Sequence, residues 1–202
     1  VSARDILISA TNEAAVANSQ QITGIGAQTN STSNGGKITV NADSLQLLDG
    51  GQISTVLLGS GRGADIEVTA KNILISGFVL DPSLSPVPYG LSGIDARVVG
   101  AATSGGIGGN ITVTADNLNM VNGGVIRTNL FEDAPGKAGN IAVNAGVINI
   151  SSGGQIYADS FRGTGDSGDL NITANSMSIS GFGASQAPYP LPDFTGLSTT
   201  TN

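Results

Sequence analysis

A seven-residue segment recurs five times along the chain, and this repeat limits the possible folds more than any single residue does. In each copy, apolar and polar residues alternate and the last residue is Ala. The copies occupy residues 36–42, 64–70, 109–115, 139–145 and 168–174. Their first apolar residues stand at positions 38, 66, 111, 141 and 170, so successive copies lie 28, 45, 30 and 29 residues apart. Such a period is typical of repeat proteins, in which stacked copies bury surfaces that one copy alone would expose.

Each repeat unit is predicted to contain three short strands. Residues 154–158, 170–174 and 177–180 typify them, because each alternates apolar and polar positions as a strand with one buried face does. Strands this short can recur at a fixed period when each pairs in parallel with its counterpart in the next unit, about 4.8 Å away. The sequence therefore predicts an all-β fold, a right-handed parallel β-helix with rungs of about 29 residues, three short strands per rung and loop insertions at one corner.

This stacking predicts apolar columns that run through the interior. The middle strand contributes two columns, which are Ile38, Ile66, Ile111, Ile141 and Leu170, and Val40, Val68, Val113, Val143 and Ile172. The third strand contributes two more, which are Leu45, Ile73, Leu118, Ile148 and Met177, and Leu47, Ile75, Met120, Ile150 and Ile179. Stacking, rather than one compact centre, is expected to supply the core.

The composition supports short strands joined by tight turns and excludes several kinds of partner. Gly makes up 30 of 202 residues, about twice its usual share, and charged residues make up only 11%. The net charge of −7 and the scattered Lys and Arg argue against nucleic acid. The chain has no Cys and no His, which excludes disulfides, thiolate metal sites and a Ser-His-Asp triad. No apolar run approaches the roughly 20 residues of a membrane span.

Both ends of the chain resemble parts of the repeat unit, so residues 1–202 are expected to form a single β-helix segment of a longer repeat protein. Insertions are predicted at about residues 9–21, 77–91 and 181–197. Aromatic residues of the last two are candidate contacts for a partner protein or a glycan, because aromatic rings stack on such ligands. The alternative is that they anchor the insertions to the rest of the fold. These candidates are Phe78, Tyr89, Phe182, Tyr189 and Phe194.

Polar residues directly before the middle strands are expected to form a structural ladder, since Asn and Asp hydrogen-bond nearby backbone groups. The positions are Lys37, Asp65, Asn110, Asn140 and Asp169. Calcium binding is the alternative, but residues 61–66 lack the spacing of the calcium-binding nonapeptide repeat, and no metal or cofactor is predicted. The Gly pairs at 50–51, 123–124 and 153–154 are expected at one corner, where a positive φ or a close backbone approach is needed.

Catalysis is not expected. Outward positions of the first strands form two columns of mixed charge, as solvent-exposed ladders do. The columns are Asp95, Arg127 and Tyr157, and Arg97, Asn129 and Asp159. The nearest acidic cluster consists of Asp159, Arg162, Asp166 and Asp169, two of which are also good turn residues. Glycoside hydrolysis would need two carboxyl groups about 5 to 9.5 Å apart.

Three phrases in the sequence resemble the filamentous-haemagglutinin-like exoproteins, especially the very large cyanobacterial ones. The phrases are the Gly-Gly-Asn-Ile-Thr-Val-Thr-Ala of residues 108–115, the Gly-Gln-Ile of 154–156 and the Ile-Asn-Ile-Ser-Ser-Gly of 148–153. The resemblance implies two-partner secretion through an outer-membrane partner and an extracellular or cell-surface location. The Asn-Pro-Asn motif of the family's secretion domain is absent, which fits a segment downstream of that domain.

The resulting functional hypothesis is a structural and adhesive shaft segment of a large secreted or cell-surface exoprotein. It would attach to a surface glycan or protein. One alternative is a subunit of a self-assembling extracellular matrix filament that associates end to end through open strand edges. A further alternative is a carbohydrate-binding or polysaccharide-cleaving β-helix.

Overall fold

The computed structural model describes residues 1–10, 23–80, 88–99, 105–131, 134–160, 164–181 and 195–201, and its regular structure in these ranges is entirely β. None of these ranges contains a helix that is long and apolar enough to cross a membrane. In chain order, the strands are β1 (Asp5–Ser9), β2 (Thr23–Thr29), β3 (Lys37–Leu48), β4 (Gly51–Leu57), β5 (Asp65–Ser76), β6 (Phe78–Leu80), β7 (Pro88–Leu91), β8 (Gly93–Val99), β9 (Gly106–Ile107), β10 (Ile111–Val121), β11 (Val125–Phe131), β12 (Gly136–Lys137), β13 (Ile141–Ser151), β14 (Gln155–Ser160), β15 (Leu170–Ser180) and β16 (Gly196–Thr201).

Twelve of these strands form two parallel sheets of six strands each. The first sheet has the order β1-β3-β5-β10-β13-β15, and the second has the order β16-β14-β11-β8-β4-β2. Strands of the two sheets alternate along the chain, so every strand pairs with its counterpart in the next repeat unit and not with its neighbour in sequence. The predicted parallel pairing between units is confirmed.

Two smaller sheets complete the described structure. The first is the parallel pair β9–β12, which two parallel β-bridges extend, one between Arg62 and Ile107 and one between Lys137 and Asp166. It joins successive units in the segment that runs from the end of a second-sheet strand to the start of the next first-sheet strand. The antiparallel pair β6–β7 lies within the predicted insertion at 77–91. This hairpin accounts for part of the one long interval in the repeat.

The core lies between the two main sheets, and the four predicted apolar columns are confirmed. Ile38, Ile66, Ile111, Ile141 and Leu170 lie in one register, and the other three columns follow in the same way. In the inner layers these side chains are almost completely buried, together with second-sheet residues such as Ile94 and Ile126. In β15 the columns end with Met177 and Ile179 exposed by 40% and 44%.

The prediction of three short strands per unit needs correction. The middle and third strands are one continuous strand of 11 or 12 residues in the first sheet. The register omits one residue in each layer, as at Asp116 and Gly146, and the alternation of buried and exposed residues shifts by one there while the strand continues. No Pro or Gly-rich turn separates the two halves, and both halves continue the same ladder.

The predicted insertion boundaries also need correction. The Gly-Leu pairs that appear to close the last two insertions are not equivalent, because Gly90 and Leu91 lie in the hairpin whereas Gly196 and Leu197 already belong to the second sheet. In register, Gly196 corresponds to Gly93. Residues 11–22, 81–87 and 182–194 lie outside the described ranges.

The two residues of each corner Gly pair meet different demands. Gly50, Gly123 and Gly153 have φ between 80° and 88°, and Asp49, Asn122 and Ser152 before them also have positive φ. Two consecutive left-handed residues define a type I′ turn, for which Asn-Gly and Asp-Gly are preferred. The second Gly of a pair lies against the layer below, since a Cβ at Gly154 would come within 2.6 Å of the carbonyl oxygen of Met120.

Candidate functional site

The polar ladder connects successive layers through their backbones. Each ladder side chain accepts a hydrogen bond from the backbone N–H of the next ladder residue. The distances are 2.8 Å from Asn110 N to Asp65 Oδ1, 3.0 Å from Asn140 N to Asn110 Oδ1, and 2.9 Å from Asp169 N to Asn140 Oδ1. Arg62 also donates to Asp65 Oδ1 at 3.1 Å. The fifth position, Lys37, instead forms an ion pair with Glu67. The side-chain oxygens of Asp65, Asn110 and Asn140 therefore act as hydrogen-bond acceptors for backbone N–H groups of the next layer.

The five candidate aromatic contacts fall mostly where no side chain is described. Phe182, Tyr189 and Phe194 lie outside the described ranges, and Tyr89 is in β7 with its side chain undescribed. Phe78 is half-buried and packs on a cluster formed by Leu91, Val125 and Tyr157. This contact joins the hairpin to the outer face of the second sheet.

That outer face carries a row of buried and half-buried polar residues, here called the polar strip: Gln52, Ser54, Asp95, Arg97, Arg127, Asn129 and Tyr157. The registers Asp95–Arg127–Tyr157 and Arg97–Asn129–Asp159 agree with the predicted columns. The prediction that both columns are solvent-exposed is wrong, because Asp95 is 1%, Asn129 4% and Tyr157 5% exposed. Among the described residues, two hairpin residues contact this face. Phe78 packs against it, and the carbonyl oxygen of Leu91 accepts a hydrogen bond from Gln52 Nε2 of β4 at 2.9 Å.

An ion network occupies the centre of the polar strip. Asp95 Oδ2 lies 2.8 Å from Arg97 Nε and accepts from Arg127 Nη2 at 3.0 Å. Arg127 Nη1 donates to the hydroxyl of Tyr157 at 3.1 Å. The side chains of Asp95 and Arg127 are 2% and 14% exposed, so the charges interact in a largely dehydrated setting.

The network shifts the pKa of two of its members. Burial acts to lower the pKa of Arg127, but the charge of Asp95 and hydrogen bonds to Asp95 and Tyr157 outweigh it, so that pKa is raised. Burial raises the pKa of Tyr157, against the opposing effect of Arg127. Arg127 is therefore a fixed cation, and the Tyr157 hydroxyl keeps its proton at neutral pH.

The polar strip also contains side-chain atoms that are buried without a hydrogen-bond partner. They are Gln52 Oε1, Ser54 Oγ, Asp95 Oδ1, Arg97 Nε, Arg127 Nε and Asn129 Oδ1, although Arg97 Nε lies within ion-pair distance of Asp95 Oδ2. Such atoms are uncommon in folded proteins, and these lie on three adjacent strands, β4, β8 and β11. Chemically, the strip offers mostly hydrogen-bond acceptors around a buried cation.

The burial of Tyr157 predicts a loss of stability in alkali. Unfolded Tyr loses its proton near pH 10, whereas folded Tyr157 keeps it to higher pH, so the free energy of unfolding should fall by up to about 1.4 kcal/mol per pH unit above pH 10. Urea unfolding at a series of alkaline pH values measures this slope. Tyr157→Phe should have a shallower slope, and an equal slope in both proteins would contradict the prediction.

The residues of the predicted acidic cluster lie in separate settings. Asp159 lies in β14, where burial raises its pKa while the backbone N–H of Thr200 donates to Oδ1 at 2.9 Å. Asp166 forms a parallel backbone β-bridge with Lys137, and Asp169 belongs to the ladder. Arg162 lies outside the described ranges. Among the described residues, no group of three or more acidic side chains could hold a metal ion.

No protein-family model, curated protein or solved structure matches this chain. Function must therefore be inferred from geometry. Sequence reasoning found the columns of the polar strip but missed their burial. The signal was present at Val125 and Tyr157, which place a large apolar or aromatic side chain at outward positions of their strands.

Proposed function

We propose that the chain is a right-handed parallel β-helix that serves as a structural and adhesive shaft segment of a large secreted or cell-surface exoprotein. The observation that carries this proposal is the continuous register of the two main sheets from β1 to β15 and from β2 to β16. Alternation of the chain between these sheets is the path that a solenoid requires. Parallel crossover connections are almost always right-handed, which supports the handedness.

A solenoid of this kind suits a shaft because each added layer extends it by about 4.8 Å and buries its own apolar faces. The outer face of the first sheet is polar and largely exposed, with Thr112, Thr114 and Asn144 as examples. The ladder hydrogen bonds add side-chain links between layers, and these resist separation of the layers along the axis. Stiffness along one direction is the property that a shaft needs.

The location and partners follow from the repeat phrases that resemble filamentous-haemagglutinin-like exoproteins. On this proposal, an outer-membrane partner exports the protein, and the shaft attaches at the cell surface to a glycan or a protein. The aromatic residues of the insertions, of which Phe78 contacts the second sheet, remain candidate contact residues.

The proposed fold is tested by adding layers. A chain with three further copies of residues 141–169 should fold and lengthen by about 14 Å, because each copy adds one layer of about 4.8 Å. Small-angle X-ray scattering measures the maximum dimension and the cross-section. An increase in cross-section with no increase in length would overturn the solenoid.

The adhesive role is tested separately with beads coated with the natural chain. Under flow, they should remain on cell or matrix surfaces longer than beads coated with an inert protein at equal density. Equal detachment of both kinds of bead would remove adhesion and leave only the structural role.

A filament subunit is the second candidate function. The exposure of Met177 and Ile179 on β15 favours it, because another layer placed there would continue two apolar columns and pair an open strand edge. Electron microscopy of the isolated chain distinguishes the two functions. Regular end-to-end fibres support assembly, and single short rods support a shaft.

A further inference from the structure

We infer that Ser92 and Thr195 act as latches, in that each hydroxyl group closes the base of a loop insertion onto the corner turn of the preceding layer. Each insertion is then a module that can be removed without dismantling the layers. The inference goes beyond the proposed function, because it concerns how the insertions are attached and not what they contact. Two hydrogen bonds carry it. Gly50 N donates to Ser92 Oγ at 2.9 Å, and Gly153 N donates to Thr195 Oγ1 at 2.9 Å.

The sequence at the latch position distinguishes layers with an insertion from layers without one. In register, this is the position that the second Gly of a corner pair holds in the other layers. Each of the three segments with a predicted insertion instead returns to the second sheet through a Ser or Thr followed by Gly. The three pairs are Thr23-Gly24, Ser92-Gly93 and Thr195-Gly196.

The room at this position depends on how the chain reaches it. Where the chain arrives through a tight Gly turn there is no space for a side chain, since a Cβ at Gly124 would overlap the carbonyl oxygen of Ile75 in the layer below. The layer with the hairpin carries a side chain at the same position, and Ser92 is 0% exposed there. A hydroxyl group buried to this extent needs hydrogen-bond partners.

The hydroxyl group of Ser92 has two partners at once. It accepts from Gly50 N and donates to the carbonyl oxygen of Ser76 at 2.7 Å, and an Ala side chain could do neither. The backbone N–H of Ser92 also donates to the carbonyl oxygen of Gly77 at 3.1 Å, which joins the two residues that flank the hairpin. The base of this insertion is therefore closed by the side chain and by the backbone of one residue.

A backbone group takes the place of the latch where the next layer has no insertion. Gly123 N donates to the carbonyl oxygen of Ser152 in the next layer at 3.1 Å. Gly50 and Gly153 hold the same turn position as Gly123, but the layer that follows each of them carries an insertion. In the hairpin layer, the carbonyl group equivalent to that of Ser152 belongs to Gly77 and accepts from the latch residue. The latch hydroxyl thus replaces an acceptor that the insertion has taken.

Amide hydrogen exchange of the whole chain, followed by NMR, tests the latches one at a time. Ser92→Ala should speed exchange at Gly50 about tenfold and leave Gly153 unchanged, because it removes only the acceptor of Gly50. Thr195→Ala should speed exchange at Gly153 to a similar extent and leave Gly50 unchanged. The internal control is Gly123, whose acceptor is a backbone carbonyl group and whose exchange should stay the same in both variants.

A conservative variant separates the hydroxyl group from the rest of the side chain. Thr195→Ser keeps the hydroxyl and should keep slow exchange at Gly153, whereas equal acceleration in Thr195→Ser and Thr195→Ala would overturn the latch. Unchanged exchange at Gly50 in Ser92→Ala would also overturn it, as would equal acceleration at Gly50 and Gly123. If Ser92→Ala does not fold, the half-buried Thr195 decides the matter alone.

Removal of the hairpin tests whether it is a module. Residues 78–92 are replaced by Gly-Gly, which rebuilds a corner of the length found at residues 122–125. This chain should keep its amide protection in β10 and β13 but unfold at a lower temperature, because Phe78 and Leu91 no longer cover Val125. The same excision closed with Ala-Ala should be less stable still, since the corner needs a positive φ and a position without a Cβ. Loss of that protection in the Gly-Gly chain, or equal unfolding temperatures of the two excised chains, would overturn the modular attachment.

Discussion

Asp95→Ala should lower the free energy of unfolding by about 3–5 kcal/mol, the largest effect we expect from any single charge removal. The substitution leaves Arg127, whose side chain is only 14% exposed, without its carboxylate partner. Arg97, at 29%, also loses its partner. A buried charge without a partner cannot regain its hydration in the folded state, and this cost dominates the loss. Urea unfolding monitored by circular dichroism measures it.

The control for Asp95→Ala is Glu67→Ala, which removes the partner of Lys37 on the exposed face of the first sheet. Exposed pairs contribute roughly 0–1 kcal/mol, so this variant should unfold nearly as the natural chain does. The double variant Asp95→Leu, Arg127→Met should recover much of the loss, because an apolar pair needs no hydration. Equal effects of Asp95→Ala and Glu67→Ala would show that the network is hydrated after all.

Gly139→Ala should destabilise the protein by about 1–3 kcal/mol or more, because a methyl group has no room there. A Cβ at Gly139 would overlap the carbonyl oxygen of Gly109 in the layer below. The overlapping atom is backbone, so relief requires the two layers to separate. That separation would also stretch the ladder hydrogen bond from Asn140 to Asn110, which is 3.0 Å long. Thermal unfolding of the purified variant measures the effect.

Gly36→Ala is the matched control for Gly139→Ala. Gly36 holds the same position in an earlier copy of the repeat, directly before Lys37, but a Cβ there would have nothing within 4 Å. Its replacement should therefore leave the unfolding temperature unchanged or raise it slightly, because Ala restricts the unfolded chain more than Gly does. Similar losses in both variants would indicate that backbone flexibility, and not close packing, requires the Gly.

The stacked layers could be predicted from sequence because the signal is local and repeated. Alternation in residues 111–115 defines one buried face, and the equivalent residues 141–145 and 170–174 define the layers that cover it. Strand continuity was harder to predict. A strand whose alternation shifts by one at Asp116 leaves the same sequence pattern as two separate strands.

Burial at the edge of the polar strip could not be predicted from the repeat, because the described residues that pack there from the hairpin are not part of the repeat. Phe78 and Leu91 belong to the hairpin, and their contact with Val125 and Tyr157 has no counterpart in periodic pairing. A column of Asp95, Arg127 and Tyr157 satisfies the pattern of a solvated ladder equally well. Only the three-dimensional contacts distinguish the two.

The ladder from Asp65 to Asp169 gives the molecule a chemical direction. At each step, the acceptor oxygen comes from the layer nearer the N-terminus and the N–H donor comes from the layer nearer the C-terminus. A chain that folds progressively from its N-terminus thus adds each new turn onto acceptors that are already oriented. In growth from the C-terminal end, the ladder positions of the existing layer present only backbone N–H donors, and each acceptor side chain must be ordered as its layer is added. The free-energy cost of adding a layer therefore differs between the two directions.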